Sequence, residues 1–473
     1  MRVGQSYRVV VRLRSGSEHL IACRITGAHR RTNAAGGSLS IRMETLIDHT
    51  EDRLSAWLRR EAPINMARAY QVMEQQGLDG LVLGDPLNLF HALGHWPQMA
   101  NTKSGQPPTS FALLARNPNQ PTGLVTSRFL YYYTFADGQM SEAVQAWLYT
   151  ENGDAGDFAP VADIDYFPDR AAAPLTAVEQ RRRRLLDAAV PSRRSFRDAG
   201  AALVKAMQAM DLWRGRIAFD HPVIAAVCAR HEHPGMLVPG DNILRAIRIV
   251  KSPLEIALMR RASAANVAAV GAVGASIRQG ASYADLRHVF DVEAAKRGNR
   301  GVFMTVDRVS SPLSDARISD GQTLFIDGVS HYSHYHGDYA RTVFVGDPTR
   351  EAKRAADAVS FGWNAVREIL RPGLRYSEIA AIGAAAVKKA GFAEVVGFGP
   401  HSVGLMHTDE PGEDAGGFYR KADLVLAENM IVSVDCPVMD TGIGGSAHIE
   451  DLMLITADGA EPIHDIGQGV MTI

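Results

Sequence analysis

Residues 325–346, FIDGVSHYSHYHGDYARTVFVG, carry two aspartates within a strand–turn–strand pattern. Apolar residues predict one strand over TLFIDGV (323–329) and another over HGDYARTVFVG (336–346), with a turn around Ser330 to Ser333. In this hairpin Asp327 and Asp338 lie eleven positions apart. Because side chains alternate between the two faces of a strand, the two carboxylates can meet on one side of the pair.

Downstream segments add further candidate ligands. They are VVGFGPHSVGLMHTDEP (395–411) with His401 and His407, NMIVSVDCPV (429–438) with Asp435, and SAHIEDLMLIT (446–456) with Glu450. Charged residues in the middle of apolar strands are hard to explain as surface residues, and buried carboxylates are costly unless they are protonated or neutralised by cations. Four carboxylates and an imidazole on one sheet therefore predict a dinuclear site for two divalent ions of Mn, Fe, Co or Zn.

The hairpin also contains three histidines and an arginine. His336 has the same strand parity as Asp338, so we predict that it contacts the substrate or supports the metal ligands, whereas His331 and His334 are expected to be exposed. Arg341 is predicted to form an ion pair with the acidic cluster, since ligating carboxylates need donors behind them.

The segment KSPLEIALMRRA (251–262) predicts a helix start, with Ser252 as N-cap, proline at the first helical position and Glu255 completing a capping box. We place the boundary of a second domain here, so that the chain comprises residues 43–245 and 246–473. Two later helices are predicted, over 350–370 and, starting after Ser377, over 378–390.

The first domain reads as alternating strands and helices. A helix predicted over INMARAYQVMEQQ (64–76) stops at Gly77, and the apolar run LDGLVLGD (78–85) follows as a buried strand. Residues 1–42 differ in composition, with eight arginines and one glutamate, and are interpreted as an upstream extension that is disordered or without function.

Composition excludes several classes of protein. The 473 residues are 46% hydrophobic and 22% charged, which is typical of a soluble protein with more than one core. Outside residues 1–42 the chain holds 42 basic and 51 acidic side chains, which argues against nucleic acid as a partner. Three cysteines favour a cytoplasmic location over a disulfide framework, and no uninterrupted apolar stretch has the length of a membrane span.

Taken together, these segments resemble the pita-bread metallopeptidase family of creatinase, prolidase, aminopeptidase P and the methionine aminopeptidases. The resemblance covers the catalytic half through four ordered motifs and, more weakly, the first half through GLDGLVLGDPLNLFHALG (77–94). It implies an α/β (α+β) fold, in which a creatinase-like N-terminal α/β domain precedes a pita-bread catalytic domain with a curved antiparallel sheet, and a homodimer. It also puts Asp327, Asp338, His401, Asp435 and Glu450 on the five metal-ligand positions and His407 on the catalytic histidine.

Four departures from the family pattern concern the pocket. Asp435 stands where peptidase members carry Glu, and His448 stands where proline-specific members usually have Arg. The stretch DRVSSPLSDARISDGQ (307–322) lacks the substrate-contacting histidine of the peptidases, and His401 and His407 are six positions apart, one fewer than usual. These changes point to a rebuilt pocket in which His448 and His336 join His407 as candidate catalytic residues.

The resemblance implies metal-dependent hydrolysis of a C–N bond by an Xaa-Pro-type dipeptidase or aminopeptidase that acts on a dipeptide or other small molecule. A creatinase-like hydrolase or lyase acting on a small non-peptide substrate is the main alternative, because of the missing Arg and His. A binding module without catalysis, as in histone-chaperone subunits, is a third reading, against which the five chelating positions speak.

Overall fold

The computed structural model of the chain describes residues 7–12, 18–23, 43–44, 49–97, 108–137, 144–150, 162–163, 174–190, 194–392, 397–414, 419–442 and 444–473. The chain divides into two compact units, residues 1–56 and 57–473. The first unit contains an antiparallel sheet in the order β2-β1-β3. Its strands are β1 (Tyr7–Arg12), β2 (Glu18–Cys23) and β3 (Met43–Glu44), and helix α1 (His49–Leu58) follows them. The interpretation of residues 1–42 as an extension without function stays a prediction.

The second unit begins with an α/β region built on a mixed eight-stranded sheet. The strands are β4 (Gly80–Leu83), β5 (Ser110–Ala115), β6 (Thr122–Ser127), β7 (Val144–Tyr149), β8 (Ala162–Asp163), β9 (Arg194–Phe196), β10 (Arg216–Phe219) and β11 (Met236–Pro239), in the spatial order β11-β10-β4-β5-β6-β7-β9-β8. The helices are α2 (Met66–Gln75), α3 (Pro86–Leu93), α4 (Arg128–Leu130) with a π-helical turn over Tyr131–Phe135, α5 (Ala177–Ala189), α6 (Ala199–Ala209), α7 (Pro222–Arg230) and α8 (Asp241–Arg248).

Helices cover both faces of this sheet, as alternation along β4 shows. Leu81 and Leu83 pack into one hydrophobic cluster with Val72 of α2, whereas Val82 points to the other side and packs with Leu203 of α6. The predicted end of α2 is confirmed, because Gly77 has a φ of +61°, which favours glycine.

In the rest of the second unit, the described residues form two four-stranded sheets, two short ribbons and four helices. The strands are β12 (Arg300–Val306), β13 (Thr323–Tyr332), β14 (Tyr335–Phe344), β15 (Gly399–Ser402), β16 (Gly412–Asp414), β17 (Tyr419–Lys421), β18 (Ile431–Asp435), β19 (Met439–Asp440), β20 (Ser446–Ala447), β21 (Leu452–Ile455), β22 (Ala460–Pro462) and β23 (Val470–Thr472). The helices are α9 (Pro253–Gly274), α10 (Tyr283–Lys296), α11 (Arg350–Arg367) and α12 (Tyr376–Lys389).

Each four-stranded sheet has its own layer of helices. The sheet β12-β13-β14-β23 packs on α9 and α10 through a cluster that includes Val270, Phe290 and Ile326, and Gly337 of β14 lies so close to α9 that a Cβ there would be 2.8 Å from Ser263 Cα. The sheet β15-β18-β21-β22 packs on α11 and α12. A bridge between Ala340 and Glu450 joins the two sheets.

Several local predictions are confirmed and three are corrected. Ser252 and Glu255 form the capping box that starts α9, an arrangement worth about 0.5–2 kcal/mol. The hairpin turn, however, consists of Ser333 and His334, both with positive φ, so β13 ends three residues later than predicted and β14 begins one residue earlier. The strand predicted over 446–456 is interrupted between β20 and β21, and α12 begins before Ser377 rather than after it.

Helix α9, with 22 residues, is long and apolar enough to cross a membrane, but half of its apolar window is buried inside the protein. It packs against β13, β14 and α10, and a core helix meets the same criteria of length and composition. The sheets before and after residue 245 belong to one compact unit, so the boundary at that position stays a prediction.

Candidate metal centre

The first two candidate ligands come from neighbouring strands of one sheet. In the β13–β14 pairing Asp327 lies opposite Ala340 and Asp338 lies opposite Val329, so the aspartates are diagonal neighbours. Asp338 is 1% exposed. The structure thus brings the two carboxylates to one side of the hairpin, as the alternation of strand residues predicts.

Three more candidate ligands come from the second sheet. His401 of β15 is paired with Ser433 of β18, which puts His401 beside Asp435 at the end of that strand. The His401 Nε2 atom lies 3.3 Å from Glu450 Oε1, 3.8 Å from Asp435 Oδ2 and 3.9 Å from Asp338 Oδ2. Glu450 reaches the first sheet because its backbone N–H donates to the Ala340 carbonyl, and the Ala340 N–H donates to the Glu450 carbonyl.

The potential ligand atoms fall into three overlapping groups, in each of which all atoms lie within 4.8 Å of one another. Asp338, His401 and Glu450 each belong to two groups, and Asp327, Asp435 and His407 to one. The groups are Asp327 with Asp338 and Glu450, His401 with Asp435 and Glu450, and Asp338 with His401 and His407. Because the groups share side chains, they form one continuous cluster of potential ligands.

The surroundings of the site raise the pKa values of its three aspartates but lower that of Glu450. Burial raises the pKa of Asp327 and of Asp338 well above the usual range, and the nearby Glu450 carboxylate raises both further. The pKa of Asp435 rises to about 6, because its carboxylate is partly desolvated and faces Glu450. Burial also opposes ionisation of Glu450, but hydrogen bonds from His401 and His448 outweigh it and lower the pKa of Glu450.

A divalent cation fits this set of side chains. The Asp327 Oδ1 atom, both carboxylate oxygens of Asp338 and the Nδ1 atoms of His401 and His448 are buried and have no hydrogen-bond partner among the described residues. Buried polar atoms are costly when they have no partner, and oxygen and imidazole donors suit the divalent ions Mn, Fe, Co and Zn. The buried carboxylates and His401 therefore have the chemistry of metal ligands.

The three candidate catalytic histidines occupy different positions. The His407 side chain is 35% exposed, and its Nε2 atom lies 3.0 Å from Asp338 Oδ2. His448 is buried, with Nε2 at 3.9 Å from Asp435 Oδ1 and 3.8 Å from Glu450 Oε2. The His336 Nδ1 atom donates to the Gly404 carbonyl at 3.1 Å, and His336 belongs to none of the three ligand groups.

Arg341 supports the site from behind, but its partner differs from the prediction. Its guanidinium donates to Asp451 Oδ1 at 2.6 Å rather than to a candidate ligand, and Trp363 Nε1 donates to Asp451 Oδ2 at 2.8 Å. Arg341 also donates to the Glu450 carbonyl at 2.9 Å, and the Ser433 hydroxyl donates to the Glu450 carboxylate. Sequence reasoning missed Asp451, although a second acid directly after Glu450 in an apolar run was a usable signal.

The two other histidines of the hairpin are not exposed as predicted. His331 and His334 are half-buried instead of exposed, and His334 stacks on Trp96 with ring centroids 3.8 Å apart. Sequence reasoning also missed the buried pair of Arg248 and Asp409, of which Asp409 lies two residues after His407. Lys251 and Glu255 of KSPLE are buried beside this pair, although the sequence pattern of that segment predicts only a helix start.

Residues 257–457 match metallopeptidase family M24. The probable dipeptidase PepE of Mycobacterium tuberculosis (strain ATCC 25618 / H37Rv) is 28% identical over 239 residues, which cover 48% of this chain and 62% of that protein. The Xaa-Pro dipeptidase of Pyrococcus furiosus is 26% identical over 231 residues, which cover 47% of this chain and 64% of that protein. The chain thus spans less than two thirds of the length of these relatives.

Solved structures share the fold at lower sequence identity. The prolidase from Pyrococcus horikoshii OT3 has a TM-score of 0.57 at 18% identity, covering 84% of this chain and 97% of that one. The Xaa-Pro dipeptidase from Bacillus anthracis has a TM-score of 0.60 at 16% identity, covering 86% and 99%. Residues 257–457 are thus similar to metallopeptidase family M24, and the chain shares the pita-bread fold of these solved structures.

Proposed function

We propose that the protein is a dinuclear metallohydrolase that cleaves a C–N bond in an Xaa-Pro-type dipeptide or a closely related small substrate. The observation that carries this proposal is the convergence of three overlapping ligand groups in which Asp338, His401 and Glu450 are each shared. Relatives named dipeptidase and Xaa-Pro dipeptidase support the substrate class. A binding module would have no need for so many buried chelating side chains.

Five residues would hold two divalent ions of Mn, Fe, Co or Zn. The residues that would hold them are Asp327, Asp338, His401, Asp435 and Glu450, of which Asp338, His401 and Glu450 each belong to two of the ligand groups. When bound, the ions would polarise the scissile carbonyl and lower the pKa of water at the site. Half of the Asp435 side chain is exposed, so this ligand faces the solvent side from which a substrate enters.

His407 is the proposed catalytic histidine because its ring is accessible and adjoins a proposed ligand. With Nε2 near Asp338 Oδ2, the imidazole N–H is held at the edge of the centre, where it can donate to the oxygen that gains negative charge during cleavage. Phe303 packs edge-on against the His407 ring at 5.3 Å between centroids and limits its rotation. His336 supports the site indirectly, because its Nδ1 atom donates to the carbonyl of Gly404, three residues before His407.

His448 favours a second candidate, a small non-peptide substrate cleaved by the same centre. Proline-specific members of the family that the chain resembles usually have Arg at this position. A guanidinium can bind a substrate carboxylate through two hydrogen bonds, whereas an imidazole offers one donor and titrates near neutral pH. His448 Nε2 is directed at Asp435 and Glu450, and its ring packs on Phe325. A substrate without a free carboxylate would suit this pocket.

A panel of substrates assayed with added Mn or Co tests the proposal. We expect Xaa-Pro dipeptides to be cleaved with kcat/KM below about 10⁴ M⁻¹s⁻¹, the low end for enzymes. His448→Arg should retain metal and shift preference toward dipeptides, whereas His464→Arg, at a buried histidine outside the ligand groups, serves as the comparison for the mere introduction of a guanidinium. Efficient cleavage of Ala-Pro or Gly-Pro by the unmodified protein would favour prolidase activity over a non-peptide substrate. The proposal would be refuted if the protein cleaved no C–N bond in a metal-dependent way.

Three further properties belong to the same proposal. The low cysteine content supports a cytoplasmic location, and the acidic body of the chain supports a small-molecule or dipeptide substrate without a nucleic-acid or membrane partner. A homodimer is proposed from the family resemblance, and light scattering of the purified full chain tests it.

A further inference from the structure

Four charged side chains are buried together at the start of the α9 segment. Arg248 is 4% exposed, Lys251 and Glu255 are each 1% exposed and Asp409 is fully buried. Side chains of these types are almost never fully buried unless they are paired. The metal centre described above uses none of them, so this charge cluster requires a separate explanation.

Arg248 binds the catalytic loop, which we define as residues 401–410. Its Nε atom donates to both oxygens of Asp409, at 2.9 and 3.0 Å, and its Nη2 atom lies 2.8 Å from Asp409 Oδ1. This two-pronged contact is the geometry in which a guanidinium holds a carboxylate most rigidly. Asp409 is only two residues from His407, so the guanidinium fixes the chain immediately after the catalytic histidine.

Lys251 binds the same loop from a second side. Its Nζ atom donates to the Arg248 carbonyl at 2.6 Å and lies 3.5 Å from the Ser402 hydroxyl. A Cβ at Gly404 would lie 2.9 Å from this Nζ and 3.0 Å from Asp409 Oδ2, so the loop backbone lies directly against the ammonium. Glycine at position 404 allows this close approach.

Two hydrogen bonds of the Ser402 backbone close the loop on itself. The Asp409 N–H donates to the Ser402 carbonyl at 2.8 Å, and the Ser402 N–H donates to Glu410 Oε2 at 2.9 Å. His401 and His407, one at the start and one inside, are therefore held in a single short closed segment. A change in the position of Asp409 moves both histidines relative to the carboxylates of β13 and β14.

The charge cluster also reaches the α/β region before residue 245. Arg248 Nη1 donates to Asn88 Oδ1 at 2.6 Å, and Asn88 Nδ2 in turn donates to Asp220 Oδ2 at 2.9 Å. Asp220 accepts the Gly84 N–H at 2.7 Å. A continuous set of hydrogen bonds thus runs from the sheet of the α/β region to the catalytic loop.

The energetics favour a positioning role over a purely stabilising one. The solvation free energy lost when paired charges are buried offsets much of their electrostatic attraction. Replacing such a pair by apolar residues is therefore often neutral or stabilising. A contact of this kind does hold groups in one geometry, because removing either partner leaves an uncompensated buried charge. Catalysis depends on such geometry, and a displacement of about 1 Å at a reacting group can cost on the order of 100-fold in rate.

We propose that Arg248 and Lys251 are positioning residues that hold the catalytic loop, and with it His407, in place over the metal centre, with Asn88 extending this hold to the α/β region. The proposal rests on the proposed function for the role of His407. It assigns a function to the KSPLE segment that goes beyond starting a helix.

The test compares Arg248→Met with Arg245→Met in the metal-loaded full chain. Arg245 lies on the same helix, three residues earlier, and pairs with Asp241, which is 73% exposed, so it is a matched control. In Arg248→Met we expect hydrogen exchange of backbone amides in the catalytic loop to accelerate by about tenfold or more, with unchanged metal content. Exchange equal to that of the Arg245→Met control would overturn the proposal. This measurement needs no substrate, so it decides the positioning role even if the proposed activity fails.

Kinetics then separate positioning from a general loss of stability. On a cleaved substrate, Arg248→Met should lower kcat by about 30-fold while KM changes by less than about threefold. In a His407→Ala background the same substitution should lower kcat by less than about threefold, because the group it positions is already absent. Equal losses in both backgrounds would show that Arg248 does not act through His407.

Milder variants cover the case in which Arg248→Met fails to fold. Arg248→Lys keeps the charge without the two-pronged contact, and Asn88→Ala removes one hydrogen bond while leaving Arg248 and Asp409 in place. Both should accelerate exchange in the catalytic loop, and Arg248→Lys should retain more kcat than Asp409→Asn. Unchanged exchange in both Arg248→Lys and Asn88→Ala would overturn the proposal.

Discussion

Replacing Arg341 by Met should destabilise the protein and loosen its metal centre together. Arg341 is fully buried, and its guanidinium donates to Asp451 and to four backbone carbonyls, which are those of Ala340, Glu450, Ile466 and Gln468. All five N–H groups of the side chain are in positions to be used. Met has a similar length but supplies no donor.

The size of the effect follows from the group that is left behind. Asp451 is fully buried, and after the substitution its carboxylate would retain the hydrogen bond from Trp363 but no strong cationic partner. Removing one partner of a buried ion pair costs about 3–5 kcal/mol. Trp363→Phe, which removes one hydrogen bond to the same carboxylate and keeps the aromatic packing, should cost about 1.5–3 kcal/mol.

Guanidinium denaturation of the metal-loaded protein measures both values. Arg308→Met is the control, because Arg308 pairs with Asp440 while both side chains are about half exposed, and such pairs contribute at most about 1 kcal/mol. The loss of the hydrogen bond to the Glu450 carbonyl should also weaken metal affinity by about tenfold, the lower end for residues that orient a ligand. A loss below about 1 kcal/mol in Arg341→Met, comparable to the surface pair, would refute the reasoning.

Three further results are expected. We expect elemental analysis of the purified protein to find about two divalent ions. Asp338→Ala should lose most of this metal, whereas Asp440→Ala at an exposed carboxylate should retain it. Equal metal content in the two variants would contradict the ligand assignment. Deleting residues 1–42 should change the Tm by less than about 5 °C, and a larger decrease in a thermal scan would show that this segment supports the fold. Burial lowers the pKa of His95 to about 4, below the value of about 6.5 in the unfolded chain. As the pH falls, the unfolded chain therefore binds a proton at His95 before the folded chain does. The free energy of unfolding should decrease by about 2 kcal/mol between pH 7 and pH 5. His95→Phe should reduce that loss in urea unfolding at the two pH values, and an unchanged pH dependence would speak against a neutral His95.

Local features of the fold were predictable from the sequence. The capping box at Ser252 and Glu255, the end of α2 at Gly77 and the two strands that carry Asp327 and Asp338 agree with the structure. Each of these depends on residues only a few positions apart, whose backbone geometry and hydrogen bonds are set locally. The candidate ligands were also identifiable, because carboxylates and imidazoles inside apolar strands are too costly to be buried without a purpose.

Other features depended on segments that are far apart in the chain. The partner of Arg341 is Asp451, 110 positions away, and His334 is covered by Trp96 from the α/β region, which removes it from solvent. The interruption of the strand after Ala447 follows from the bridge of Glu450 to Ala340 on the other sheet. No spacing within a single segment reports such pairings.

Arg248 and Lys251 illustrate the division most clearly. Their sequence neighbourhood is that of a helix start, and a charged side chain near a helix start is ordinarily solvated. Only the packing of α8, α9 and the catalytic loop buries both side chains, and it brings Arg248 to Asp409 and Lys251 to Ser402. Side-chain types and local periodicity are written in the sequence, but the strength of an electrostatic contact depends on its distance and on the exclusion of water, and both arise only when distant segments pack together.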